Sequence, residues 1–393
     1  MPRPTRRLRP GHRCPSRALT CQELQRIAIG LNDVYLHIGP VKTGSTYLQS
    51  IMWNSRDLLR ARGLLLPADH DNEHFLAAND VQDGKFVLID LPEADGIWDK
   101  VAGRARSWPG PVLISHELLG FSESDHIRRI VDSLAPSTLH LIVMARCRAD
   151  VLPSLYQEKI KMVDPDQSWG DFLAEYRHSE GPWSQAPGVL VQRWLPHIDR
   201  DRVHVVTVPK RGAGGHLLLY RFAGVLGLDL TELRMDDADT NTSLDAVEVE
   251  LLRVVTARTA ARLDRRAQRD LINAHLVPLL RELDRPRRRL RLPASLRPLM
   301  SEAGLDDAEI LTAAECHVHG NLDELMPDAE AFDDDRPAES DVSLTDVLMV
   351  AADALVAAAT RLPRSGETAY GFAVGLYPMP DYPTLPTRPG EED

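Results

Sequence analysis

One stretch of the chain, residues 34–49, combines a strand pattern, a glycine-bracketed loop and the start of a helix. An apolar run ends at Gly39, the loop carries Lys42 and closes at Gly44, and apolar residues recur at helical spacing from Ser45 onward. Backbone N–H groups at a helix N-terminus converge on an anion, and the helix dipole favours negative charge there. The stretch therefore predicts a phosphate-binding loop at the carboxyl end of a buried strand.

The spacing of this loop is close to that of a Walker A motif, but its lysine is displaced. Gly39 and Gly44 stand as in G-x-x-x-x-G, and Thr46 occupies the position of the final Ser/Thr. Ser45 stands where the Walker lysine belongs, while the lysine lies inside the loop at Lys42. The plainer interpretation is an ordinary strand–turn–helix that needs its glycines only for the turn.

The loop resembles the first nucleotide-binding loop of sulfotransferases that use 3′-phosphoadenosine 5′-phosphosulfate (PAPS). The usual form is P-K-x-G-[ST]-T. Here Val41 separates Pro40 from Lys42, as in the H-I-G-x-x-K-T-G-x-T bacterial branch of that family. The resemblance implies that the 5′-phosphosulfate is held by Lys42, Thr43, Gly44, Ser45 and Thr46. It also implies an aromatic contact from Tyr47 near the adenine.

A second motif follows the third predicted strand. Sulfotransferases carry R-x-x-x-D-x-x-x-S there, and Arg146, Asp150 and Ser154 match its three positions. Asp150 is a favourable N-cap, which would place Ser154 about one turn into a helix. The resemblance implies that Arg146 and Ser154 grip the 3′-phosphate that distinguishes PAPS from ATP, through a charge-assisted pair. Taken alone, the same residues suit a solvated charge and a capping hydroxyl, and Arg148 is expected to face solvent.

The second predicted strand ends in Ile-Ser-His-Glu, residues 114–117, and offers two candidate bases. Sulfuryl transfer to an alcohol needs a group that accepts the hydroxyl proton. Cytosolic sulfotransferases keep a catalytic histidine at this place, which points to His116. The bacterial branch often reads S-S-E, which favours Glu117. A neutral histidine is ready near pH 7, and a glutamate whose pKa is raised by burial would also serve. Because neighbours on a strand face opposite sides, we expect one of the two to face the sulfur, with Glu117 preferred.

Other patterns keep alternatives open. Residues 70–74 spell the inverted zinc motif H-x-x-E-H, but their surroundings favour a loop that presents His74 to a substrate. Residues 86–90 imitate a Walker B strand ending in Asp90, which supports a P-loop nucleotide kinase or other ATP- or GTP-dependent phosphoryl transferase. A non-catalytic nucleotide- or glycan-binding protein is the second alternative. The basic run at 285–291 is interpreted as a solvated charge run, since no late Arg-Lys-Gly loop of the family can be aligned; Arg211 and Gly212 come too early.

Predicted strands at 34–39, 111–115, 139–145 and 203–208, separated by helical patterns, indicate an α/β fold with a mostly parallel sheet. With the loop, they favour a three-layer P-loop NTPase-like core and a helical C-terminal extension. Helices are expected at about 45–62, 244–281 and 344–361, and a loop at 67–85. The predicted segments are a disordered basic leader (1–30), a sulfotransferase-like α/β domain (31–325), an acidic segment with a terminal helix (326–362) and a disordered tail (363–393).

Composition limits the partners. The net charge of −12 argues against a general affinity for nucleic acid, and no apolar run is long enough to predict a membrane span. The four cysteines are dispersed without a C-x-x-C pair, which favours a reducing, cytoplasmic setting. The expected activity is sulfuryl transfer from PAPS, without a metal, to a hydroxyl or amine of a saccharide, lipid or small molecule. The acceptor and the oligomeric state are not predicted.

Overall fold

The computed structural model describes residues 32–84, 91–163, 167–178, 182–214, 216–229, 233–234, 243–333 and 342–360. The chain divides into two compact units. The first comprises Met1–Ser154, Leu173–Asn241 and Leu292–Asp334, and the second Leu155–Phe172, Thr242–Arg291 and Asp335–Asp393. The bounds of these units differ from the predicted bounds, 31–325 and 326–362. The predicted domains stay predictions. The predicted leader, the strand at 86–90 and the predicted tail lie outside the described residues.

A parallel sheet forms the centre of the first unit. The described strands are β1 Asp33–His37, β2 Val112–Ser115, β3 Thr138–Ala145 and β4 Val203–Thr207, followed later in the chain by β5 Leu292–Pro293, β6 His317–His319 and β7 Phe332–Asp333. Five of them pair in the order β2-β1-β3-β4-β6, and β5 pairs with β7 separately; every pairing is parallel. The four predicted strands and the parallel arrangement are confirmed.

Helices account for most of the remaining described structure. They are α1 Ser45–Asn54, α2 Arg56–Ala61, α3 Glu73–Asp80, α4 Ile97–Ser107, α5 Ser124–Leu134, α6 Arg148–Lys161, α7 Trp169–His178, α8 Pro187–Trp194, α9 Leu217–Val225, α10 Ala246–Thr259, α11 Arg265–Asp270, α12 Val277–Glu282, α13 Arg297–Ala313 and α14 Leu344–Thr360. A π-helical turn spans Leu271–Leu276, between α11 and α12. None of the described helices is both long and apolar enough to span a membrane.

The sheet buries both faces, because strand residues alternate between two apolar clusters. Val34, Leu36 and Ile38 face one cluster, which includes side chains from α3, α4, α5 and α8. Ile142 and Met144 face the other, with side chains from α1, α2 and α9. The first unit is therefore a three-layer α/β structure with helices on both sides of a parallel sheet.

Three predicted elements need correction. The helix expected at 45–62 is interrupted at Ser55, whose buried hydroxyl accepts a hydrogen bond from the Arg234 amide at 2.8 Å. The loop expected at 67–85 contains α3. The helix expected at 244–281 is divided into α10, α11, the π-helical turn and α12. For the two predicted helices, the apolar spacing marks a buried face but does not fix where the backbone changes direction. For α3, the buried face consists of polar and small residues, which carry no apolar pattern.

The second unit is helical. Its aromatic cluster joins Tyr156, Trp169 and Phe172, with ring centroids 5.1–5.6 Å apart. The basic run at 285–291, expected to be solvated, is partly tied into this unit. Arg285 lies 2.6 Å from the buried carboxylate of Asp245, the N-cap of α10. These arginines therefore stabilise a helix start.

Candidate active site

The strand order locates the place where a ligand would bind. The chain goes from β1 outward to β2 and then returns past β1 to β3, so its direction reverses between β1 and β3. In open parallel sheets, ligands bind outside the carboxyl ends of the strands at such a switch point. The loop at 38–44 follows β1, and the motif that begins at Arg146 follows β3. Both predicted phosphate motifs thus flank the switch point.

The loop after β1 is fixed to β3 and turns its backbone sharply. The Met144 amide donates to the Gly39 carbonyl oxygen at 2.7 Å, and the Thr43 hydroxyl donates to the Pro40 carbonyl oxygen at 2.7 Å. Lys42 and Gly44 have φ of 63° and 92°, in the left-handed region. Gly44 is the N-cap of α1, and no side chain caps this helix in the described residues. The first amides of α1 are therefore placed as anion donors.

The side chains of the loop differ in what they offer a ligand. Thr43 is fully buried and its hydroxyl is used within the loop, so only its backbone can contact an anion. Ser45 is also buried, and its Oγ has no hydrogen-bond partner among the described residues. Thr46 is exposed, whereas Lys42 is half-buried. The orphaned Ser45 hydroxyl is a polar group that a bound anion would satisfy.

Tyr47 lies in the first turn of α1 and not in the loop itself. Its hydroxyl is 3.4 Å from Nδ1 of His216, and burial raises the pKa of Tyr47. The structure therefore associates this ring with the segment that precedes α9; its predicted contact with adenine stays a prediction.

Arg146 joins the two motifs. Its guanidinium donates a hydrogen bond to the carbonyl oxygen of Lys42, 104 residues earlier in the chain. This contact brings two cationic side chains that the sequence singled out separately to one edge of the sheet. Each of these two residues follows a different strand of the sheet.

Details of the second motif differ from the prediction. Asp150 is not the N-cap, because α6 already begins at Arg148; its carboxylate accepts from Arg211 Nη2 at 2.9 Å. Ser154 Oγ donates to the Asp150 carbonyl oxygen at 3.2 Å, a bond within the helix. Arg148 does not face solvent: its guanidinium lies 2.8 Å from the buried carboxylate of Asp307.

Sequence reasoning missed two cations beside Arg146. Lys210 and Arg211 follow β4 and line, with Arg146 and Asp150, a cavity of about 20 Å³. Lys210 pairs with Asp328 at 2.6 Å. Arg211 comes too early in the sequence to belong to the late Arg-Lys-Gly loop of sulfotransferases. The signal that identifies it is its position just after a predicted strand, which places it at the same edge as Arg146.

The two candidate bases lie beyond the end of β2, not on the strand. His116 is the N-cap of a 3₁₀ turn, Glu117–Phe121, and its Nδ1 accepts from the Leu118 amide at 3.2 Å. Glu117 packs against the loop: a β-carbon added at Gly39 would lie 3.0 Å from Cβ of Glu117. Gly39 is therefore required for the close approach of the base to the loop.

The expectation that burial leaves Glu117 with a raised pKa is wrong. Burial is the largest single influence and raises it, but the nearby His116, a backbone hydrogen bond, the Gln49 carboxamide and His37 together lower the pKa of Glu117. Burial lowers the pKa of His116, against the opposing effect of Glu117. Both groups are therefore unprotonated near pH 7, the form that a general base needs. The choice between them stays open.

Two further histidines, His37 and His74, are buried behind these bases. His37 Nδ1 is 2.8 Å from Ser115 Oγ, and the Ser115 amide donates to His74 Nδ1 at 3.4 Å. Burial lowers the pKa of each histidine to about 4. Both are neutral near pH 7. Both contact Ser115, the last residue of β2, which directly precedes the candidate bases.

A cleft of about 230 Å³ opens beside His116. Its lining includes Gln49, Trp53, His74, Phe75 and Ser115. His74 lies in α3 and not in a loop, and its predicted role toward a substrate stays a prediction. Within the described part of the chain, no group of three or more His, Cys, Asp or Glu side chains is arranged to hold a metal ion.

Comparison of the chain with protein-family models, curated proteins and solved structures gives no match. A functional interpretation therefore depends on the sequence motifs and on the geometry of the site.

Proposed function

We propose that this chain is a PAPS-dependent sulfotransferase with a P-loop-like core. The hydrogen bond from Arg146 to the Lys42 carbonyl oxygen is the observation that carries the proposal. It unites a loop suited to one phosphate with a cation suited to another. ATP has no 3′-phosphate, whereas PAPS has phosphate groups at both ends of its ribose. The proposal includes a cytoplasmic location and no metal cofactor, as the family resemblance and the cysteine content suggest.

The proposed reaction is an in-line transfer of the sulfuryl group. The acceptor oxygen or nitrogen forms a bond to sulfur while the bond between sulfur and the bridging phosphate oxygen breaks. The electron pair of that bond stays on adenosine 3′,5′-bisphosphate, and the acceptor proton passes to Glu117 or His116. Lys42 and the amides at the start of α1 stabilise the charge that develops on the leaving oxygen.

The motif that begins at Arg146 would bind the 3′-phosphate end of the nucleotide. Arg146 would pair with the 3′-phosphate, together with Ser154 on α6 and with Arg211, whose guanidinium contacts Asp150. Fixing the nucleotide at two points orients the sulfur toward the acceptor, which lowers the entropic part of the barrier. Arg211 would contribute through its charge and its hold on Asp150.

Calorimetry and a transfer assay test the proposal. The wild type should bind adenosine 3′,5′-bisphosphate more tightly than ATP and transfer radiolabelled sulfate from PAPS to an acceptor. Lys42→Ala should retain the fold and reduce transfer at least about a hundredfold, the scale of losing one preorganised electrostatic group. Lys100→Ala, at an exposed position on α4, is the matched control.

Each alternative has its own outcome. Tighter binding of ATP than of the bisphosphate would overturn the proposal in favour of a phosphoryl transferase. Tight binding of the bisphosphate with no transfer to any acceptor would indicate a non-catalytic binder.

A further inference from the structure

The cleft beside the candidate bases indicates the class of acceptor. Its volume of about 230 Å³ is below the ~300–1,000 Å³ usual for ligand pockets. This space suits one ring-sized group of a substrate. A larger acceptor would place only its reacting end in the cleft.

The charge of the lining differs from that of the nucleotide loops. The described residues that line the cleft include no lysine or arginine, and Asp71 is their one carboxylate. An anionic group brought into the cleft would meet this carboxylate, and the Arg56 guanidinium that stacks on Trp53 is not part of the lining. The lining therefore disfavours carboxylate- or phosphate-bearing acceptors.

Several polar side chains of the lining have no hydrogen-bond partner within the described part of the protein. Among the described residues, the exposed side chains of Asp71 and Asn72 have no hydrogen-bond partner. His74 is only 8% exposed, and its Nε2 has no partner among the described residues. Because His74 Nδ1 accepts from the Ser115 amide, Nε2 carries the proton of the neutral ring. The cleft thus offers both acceptors and a buried donor, the complement of hydroxyl groups.

The remaining lining is apolar and partly aromatic. Trp53 and Phe75 are half-buried in it, with the Phe75 ring 5.5 Å from that of His116. The Arg56 guanidinium, 4.6 Å from the Trp53 ring centroid, covers a face of that ring. Aromatic faces are electron-rich and attract weakly positive C–H groups. A sugar ring has both features: hydroxyls around its edge and C–H groups on its faces.

We propose that the acceptor group is an uncharged sugar ring, which binds in this cleft with one hydroxyl toward Glu117 or His116. This inference rests on the sulfotransferase function proposed above. Asp71 determines the charge preference, and Trp53 and Phe75 contact the faces of the ring. Hexuronates and sugar phosphates are disfavoured by the charge of Asp71.

Ligand-observed NMR with a panel of methyl hexosides, the matching methyl hexuronides and simple phenols tests the inference. Binding is measured to the full chain with adenosine 3′,5′-bisphosphate bound, so that no turnover is required. At least one hexoside should bind about tenfold more tightly than its hexuronide. Asp71→Ala should weaken hexoside binding about fivefold, as expected for one hydrogen bond. Asp71→Lys should reverse the preference between hexoside and hexuronide, while the exposed Asp132→Ala should change neither.

The outcomes separate the two proposals. A chain that binds the bisphosphate but prefers phenols or hexuronides would overturn the acceptor class and leave the sulfotransferase function standing. A chain that fails to bind the bisphosphate would overturn the function itself, and with it this inference. A folded Asp71→Lys variant that still prefers the hexoside to the hexuronide would also overturn the inference about the acceptor.

Discussion

Gln49 is expected to control the charge state of Glu117. Its carboxamide Nε2 lies 3.1 Å from Glu117 Oε2 and 3.3 Å from the Ser115 carbonyl oxygen, so one side chain of α1 links the loop helix to the end of β2. Gln49→Met keeps the length of the side chain and removes the donor. The carboxylate then loses a hydrogen bond that favours its charged form, and the pKa of Glu117 should rise.

The magnitude follows from the type of bond. A hydrogen bond to a charged group contributes about 1.5–3 kcal/mol, and the lower value applies here because the adjoining cleft admits water. The unfolding free energy of Gln49→Met at pH 7 should therefore fall by about 1.5 kcal/mol. The lowered pKa of the folded-state Glu117 stabilises the chain above the unfolded-state pKa, and this contribution is lost as pH falls through the folded value. The difference between variant and wild type should therefore disappear in acid.

Two measurements check this prediction without an activity assay. Carboxyl ¹³C NMR, with Glu117→Gln to identify the resonance, should show a higher titration midpoint for Glu117 in Gln49→Met. Urea unfolding at neutral and acid pH gives the stability difference. Gln192→Met, at an exposed position on α8, is the control and should alter neither quantity. An unchanged titration midpoint of Glu117 in a folded Gln49→Met variant would refute the prediction that Gln49 lowers the pKa of Glu117.

Three further predictions follow from other contacts. Arg146→Met should weaken binding of adenosine 3′,5′-bisphosphate at least tenfold but that of AMP much less, as calorimetry would show; equal losses would contradict a 3′-phosphate role. Arg148→Met should lower the unfolding free energy by about 3–5 kcal/mol because it leaves the Asp307 carboxylate buried and unpaired, and Asp307→Leu added to it should restore much of the loss in urea unfolding. Burial, and then repulsion from neighbouring histidines, lowers the pKa of His204 from 6.5 to about 3, so stability should decline as pH falls below 6.5. His204→Asn should show a smaller decline between pH 7 and 5, and an equal decline would contradict this.

The sequence is a good guide to the strands and a weaker guide to what joins them. The predicted strands are buried on both faces and read as continuous apolar runs, which is why their positions could be predicted. The edge strand β6, His-Val-His, could not be, because three residues with two histidines carry no strand pattern. Its stability comes from parallel pairing with β4, in which His204 lies opposite His317 and Val206 opposite His319.

The site shows the same division. The loop around Lys42 and the cation at Arg146 were predicted from their resemblance to sulfotransferase motifs, and their positions after apolar strands agree with it because strand ends of a parallel sheet meet at one edge. The partners of Arg148 and Glu117 could not be predicted. Asp307 contacts Arg148, and Gln49 contacts Glu117, only because the chain folds. The predicted direction of the Glu117 pKa shift was wrong for the same reason. Burial can be inferred from an apolar strand, but the neighbouring groups that lower the pKa cannot.

The conformation of Lys42 provides the final argument for an anion site. A non-glycine residue in the left-handed region costs roughly 1–2 kcal/mol, and a glycine would adopt φ of 63° without that cost. The strain persists because Arg146 holds the Lys42 carbonyl oxygen and the next residue, Thr43, bonds back to Pro40. A turn that only reverses the chain gains nothing from a lysine there. A loop that must place a cation beside the first amides of α1 does, and this favours a phosphate-binding loop over a plain strand–turn–helix.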